Sequence, residues 1–100
     1  MNEEIKALRQ VVDIMDHALL DLINRRIRLT GQIGEMKASA GLPCRDRQRE
    51  ENLYLRISLA NDGPMSDEAA RHLFEILTAE SRRIQNQILN KSWDRKGATG

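Results

Sequence analysis

With 100 residues, 40% apolar and 31% charged, the chain has the size of one domain and is too apolar for a disordered one. A formal net charge of +1 gives no bulk field for nucleic acid or an acidic membrane, and 3% aromatic content gives no stacking platform for bases. Acidic residues where a signal peptide is basic, no apolar run long enough to span a bilayer and a lone cysteine, Cys44, set the expectation of a cytoplasmic protein in which that thiol is inert.

The first helical pattern runs from about Glu3 to about Ala40, without proline, and stops at Gly41-Leu42-Pro43. Ile5, Leu8, Val12, Met15, Leu19, Leu22, Leu29, Ile33 and Met36 follow alternating three- and four-residue steps along it, forming a continuous apolar seam. At ~1.5 Å per residue such a helix spans roughly 55 Å, far beyond the ~13 Å radius of gyration of a compact chain of this length. A second pattern begins near Asp46, a good N-cap, carries Leu53, Ile57 and Ala60 on one face, and ends at Asn61-Asp62-Gly63-Pro64. The third is capped by Ser66, has Asp67 and Glu68 at its positive end, and carries Ala70, Leu73, Phe74, Leu77, Ile84 and Ile88 as its stripe. From Ser92 onward the periodicity is lost, so residues 1–91 are expected to form the domain and residues 92–100 a polar, frayed tail, with Trp93 docking loosely. No strand signal accompanies these patterns. The expected fold is all-α, one very long helix followed by two shorter ones, and the distal seam of the long helix calls for a partner, most simply a second copy in a twofold dimer.

The functional signal lies in the polar residues on the packing faces. Arg26 occupies an inward position of the seam, where a guanidinium is costly unless an anion meets it. Lys37 is eleven residues further on, within about 20° of the same helical direction. In the second helix Glu50 lies on the line of Leu53 and Ile57, with Asp46 and Arg49 a turn or less away, and in the third Ser81 and Gln85 sit at i and i+4 between Leu77 and Ile88. Two readings stay open on pattern alone: a buried ion network in which Arg26 or Lys37 pairs with Glu50, and a pocket for a small dianion, favoured by Arg26, Lys37 and Arg49 outnumbering the inward carboxylates. Arg9, at the margin of the seam, is 17 residues from Arg26 and therefore roughly 25 Å away along the axis. Only a crossed or antiparallel partner chain can bring it to the same site.

Leu8-Arg9, the run Asp16 to Arg26, Ile33 to Lys37, the stretch Gly41 to Glu50, and Phe74 followed by Ser81 and Gln85 resemble the all-helical class of chorismate mutases, over roughly Ile5 to Gln87. The resemblance implies an interlocked homodimer of three-helix chains that converts chorismate to prephenate in aromatic amino-acid biosynthesis, a pericyclic step needing neither metal nor organic cofactor. It further implies that Arg26 and a partner-chain Arg9 bind the substrate carboxylates with help from Ser81, and that Lys37 and Gln85 hydrogen-bond the ether oxygen. Glu50, supported by Asp46 and Arg49, would hold the ring hydroxyl.

Gly31 inside the long helix and the Arg82-Arg83 pair after Ser81 depart from the pattern, and sequence alone does not say whether Arg82 reaches the pocket. His17 and His72 have no role in the scheme. Nothing in the chain signals a fused dehydratase or dehydrogenase domain, so a free-standing enzyme is expected. The alternatives on the same fold are a mutase of 4-amino-4-deoxychorismate and an isochorismate-pyruvate lyase. The Asp46-x-x-Arg49-Glu50 element favours a polar group on ring carbon four and so argues against the lyase, without separating hydroxyl from amine. A non-catalytic helical dimer using Arg25, Arg26, Arg28, Arg82 and Arg83 is the competing class, disfavoured by the inward position of Arg26.

Overall fold

A computed structural model describes the backbone of residues 2–99 and the side chains of residues 2–90. Three helices follow one another: α1 (Glu3–Ser39), α2 (Arg47–Ala60) and α3 (Asp67–Thr99). The caps expected at Asp46 and Ser66 are present, and Asn2 supplies a third at the start of α1. Asn2 accepts from the amides of Glu4 and Ile5 at the start of α1, Asp46 from the amide of Arg49 at the start of α2, and Ser66 Oγ from the amide of Ala69 at the start of α3. α1 ends in a Schellman motif. Gly41 takes φ +72°, Leu42 N–H donates to the Lys37 carbonyl at 2.8 Å, and Gly41 N–H donates to the Ala38 carbonyl at 3.1 Å.

α3, at 33 residues, is shorter than α1 at 37, as expected, but it runs beyond the end of its apolar stripe. Its backbone stays helical past Ser92, where sequence periodicity had placed the end of the domain. Extending an existing helix fixes one residue per hydrogen bond gained, so a polar segment follows a well-nucleated helix without an apolar stripe of its own. The expected docking of Trp93 falls on side chains outside the described residues.

α3 packs against both α1 and α2. Its contact with α2 is stitched by Arg71, whose guanidinium lies 4.8 Å from the Tyr54 ring centroid and reaches Glu51 at 3.5 Å, while Glu75 of α3 itself steadies it at 3.0 Å. Its contact with α1 is close because the helix presents glycine there: Gly31 and Gly34 are the buried residues of α1.

The result is a slab of 66 × 30 × 15 Å with a radius of gyration of 18.4 Å, against ~13 Å for a compact chain of this length. It exposes 8278 Å², whereas a compact monomer of this size exposes roughly 5,800 Å². Leu8, Val12, Met15, Leu19 and Leu22 are each more than half exposed, so the distal seam of α1 is uncovered within the chain.

Candidate functional site

Where the C-terminal half of α1, the start of α2 and the middle of α3 converge, they enclose a cavity of about 140 Å³. Seven of the eight residues singled out in the sequence line it: Arg26 and Lys37 from α1, Asp46, Arg49 and Glu50 from the start of α2, and Ser81 and Gln85 from α3. Thr30, Ile33, Leu53 and Thr78 complete its walls. Arg9 is outside it, exposed on the distal half of α1.

Six cations line this space, Arg26, Lys37, Arg45, Arg49, Arg56 and Arg82, against two carboxylates, Asp46 and Glu50. Asp46 is committed to the start of α2, accepting from the amide of Arg49 at 3.0 Å. Glu50 is bracketed, one oxygen taking Arg82 Nη1 from α3 and the other facing Arg45 Nη2 at 3.4 Å. The ion pairing therefore differs from the buried-network reading, in which Arg26 or Lys37 pairs with Glu50. Glu50 is neutralised by Arg82 and Arg45, and among the described residues Arg26, Lys37 and Arg49 make no salt bridge.

Two polar atoms in the cavity wall are buried without a partner: Arg26 Nη1 and Ser81 Oγ. Leaving such groups unsatisfied costs about 1–3 kcal/mol each, and more where the donor is charged. Arg26 is held in place from behind, its guanidinium 5.9 Å from the Phe74 ring centroid. An unpartnered hydroxyl and guanidinium on two residues that line one cavity, amid surplus positive charge, suit an oxyanion.

Gln85 is buried, and its Nε2 donates to the Thr30 carbonyl oxygen of α1 at 2.7 Å. A carboxamide carries two N–H donors, so this bond fixes the group and leaves one donor for a ligand. The approach depends on Gly34. A Cβ there would lie 2.8 Å from Gln85 Cγ and 2.9 Å from its Cδ, closer than real atoms come. Sequence reasoning missed Gly34, although a second glycine three residues after Gly31 in a long helix was an available signal. It also missed Arg45, and left Arg82 undecided because whether α2 lies within its reach is set by tertiary packing. Cys44 lines the same cavity, half-buried.

The chain matches the family model described as chorismate mutase type II over residues 8–86. A chorismate mutase of Methanocaldococcus jannaschii is 29% identical over 93 residues, covering 92% of this chain and 94% of that protein. The bifunctional chorismate mutase/prephenate dehydratase of Aquifex aeolicus is 37% identical over 90 residues, 86% of this chain, and the match spans only 25% of that relative's length. Among solved structures, form II of the chorismate mutase from Thermus thermophilus superposes with a TM-score of 0.80 at 35% identity, over 83% of this chain and 94% of that one.

Proposed function

Since the chain belongs to the chorismate mutase type II family, we propose that it rearranges chorismate to prephenate in the cavity described above. The observation that carries this reading is the pair of unpartnered buried donors, Arg26 Nη1 and Ser81 Oγ, in a cavity whose cations outnumber its carboxylates. A dicarboxylate supplies what they lack.

In this reading Arg26 and Ser81 bind one carboxylate, and Arg9 of the partner subunit adds a second cation. Lys37 and the free N–H of Gln85 donate to the ether oxygen, where negative charge develops as the C–O bond breaks and the C–C bond forms. Glu50, held by its guanidinium neighbours and by its place on α2 beside Asp46 and Arg49, accepts from the ring hydroxyl. The reaction requires no nucleophile. Its barrier falls because the enolpyruvyl arm is held over the ring and because preorganised donors meet the developing charge.

The dimer belongs to the same proposal. The excess exposed surface, on the order of 2,500 Å² beyond that of a compact monomer, is of the size an obligate interface buries, and the exposed apolar seam of α1 supports an interface along it. A cytoplasmic setting, expected from the sequence, accompanies it; no helix among the described residues is long and apolar enough to cross a membrane.

The test is incubation with chorismate and identification of the product. Prephenate is expected; no consumption of chorismate would overturn the reading. The shared site has its own test. Arg9→Ala and Arg26→Ala subunits, each inactive alone, are mixed after co-unfolding, and the heterodimer should regain one intact site. A mixture as inactive as its parents would show that Arg9 is not supplied across an interface.

A further inference from the structure

The pairing of Glu50 bears on which substrate the cavity takes. Arg82 comes from the middle of α3, 32 residues along the chain, and closes an ion pair on one oxygen of Glu50, while Arg45 stands 3.4 Å from the other. Glu50 is 15% exposed and Arg82 31%, whereas Arg45, at 46%, is the more solvated of the two guanidiniums. Lys37, Arg49 and Arg56 line the same cavity, and Asp46, the other carboxylate, is committed to capping the start of α2.

A carboxylate with free charge accepts from a hydroxyl and attracts an ammonium far more strongly. A carboxylate already neutralised by guanidiniums keeps lone pairs for a neutral hydroxyl, while an ammonium entering beside it meets their positive charge at close range. We propose that Arg82 is a specificity-determining residue, making the Glu50 end of the cavity receptive to a hydroxyl on the substrate ring and closed to an ammonium at the same position. The inference rests on the reading of this cavity as the chorismate site, and it separates chorismate from 4-amino-4-deoxychorismate, which differ there alone.

The test compares kcat/KM for the two substrates in wild type, Arg82→Met and Arg82→Lys, each checked for folding by circular dichroism. Wild type should prefer chorismate. Arg82→Met should narrow that preference by about tenfold, the partial exposure of Arg82 screening the larger effect of a fully buried charge. Arg82→Lys restores the charge without the planar fork and should restore the preference. A role confined to tying α3 to α2 would lower both substrates alike in Arg82→Met and leave the ratio unmoved, which would overturn the proposal. If Arg82→Met does not fold, Arg45→Met takes its place, with a narrowing of about threefold expected from the more exposed partner and an unchanged ratio again overturning the idea. Wild type that turns over neither compound would sink the underlying reading of the site; turnover of chorismate with a ratio indifferent to these substitutions would sink only the assignment to Arg82 and Arg45.

Discussion

The two halves of α1 carry one apolar pattern and meet opposite fates. From Glu3 to Leu22 every residue is exposed, with Leu8 at 65% and Met15 at 62%. From Ile23 onward the helix lies on α3, buries Gly31 and Gly34, and presents Arg26, Thr30, Ile33 and Lys37 to the cavity. Periodicity does not distinguish these halves. What does is the interruptions: two glycines that let another helix approach, and two cations that have no place in a dry seam. An unbroken apolar stripe says that something covers it, whereas a stripe broken by glycine and charge says where a neighbour comes close and what chemistry waits there.

The strongest way to break this contrast is to put a charge into the seam of the distal half, where Leu8, Val12, Met15, Leu19 and Leu22 run without one. Leu19 is 59% exposed in the single chain, so Leu19→Asp in a true monomer would shift stability by only about 0.5 kcal/mol. Covered by a partner, the same substitution buries one unpaired carboxylate from each chain at a cost of several kcal/mol per ion. Sedimentation and chorismate turnover should show loss of the dimer together with loss of activity. A variant that sediments and reacts like wild type would mean that the distal seam is left to solvent.

A second substitution sharpens the contrast from the side of the site. Gln85→Glu replaces a group that donates at any ordinary pH with one that donates only while protonated. When ionised it would face both the Thr30 carbonyl oxygen and the charge developing on the ether oxygen. Turnover should fall on the order of 10²-fold near neutrality and recover in part in acid. Burial, the Thr30 carbonyl and the substrate carboxylates favour the protonated form, while Lys37 opposes it. A flat profile at the wild-type rate would show that Gln85 does not touch the reacting oxygen.

Much of this is legible in the sequence. The stops and caps at Gly41, Asp46 and Ser66 are local chemistry, which a chain states in its own order, and Arg26, Lys37, Glu50, Ser81 and Gln85 declare themselves by breaking helical stripes. Arg82 is not legible. One residue after Ser81, it is turned about 100° around α3, and only the placement of α2 brings Glu50 within its reach. The same holds for Arg45, which precedes α2 and belongs to no stripe. The length of α3 escapes for a different reason: its continuation past Ser92 depends on propagation from a helix already formed, and periodicity registers burial rather than propagation.

The finest comparison lies within the packed half itself, between two glycines three residues apart. Both are buried and helical, and in sequence both look like the same cost of about 1 kcal/mol relative to alanine. Their surroundings differ. A Cβ on Gly31 would meet Ile88 Cδ1 at 3.6 Å, an ordinary contact, so Gly31→Ala should recover most of that ~1 kcal/mol in a denaturant melt and leave turnover unchanged. A Cβ on Gly34 would meet Gln85 Cγ at 2.8 Å, Cδ at 2.9 Å and Nε2 at 3.1 Å. These atoms cannot all yield while Nε2 keeps its 2.7 Å bond to the Thr30 carbonyl, so the carboxamide must swing away. The helical gain and the lost contact then oppose each other in stability, while the loss of an oriented donor is not offset. Gly34→Ala should therefore lower kcat by about tenfold or more with little change in KM, since in the proposed mechanism the missing bond is made to the ether oxygen in the transition state rather than in carboxylate binding. Equal behaviour of the two alanine variants would mean that Gly34 serves only close helix packing and that Gln85 does not depend on it.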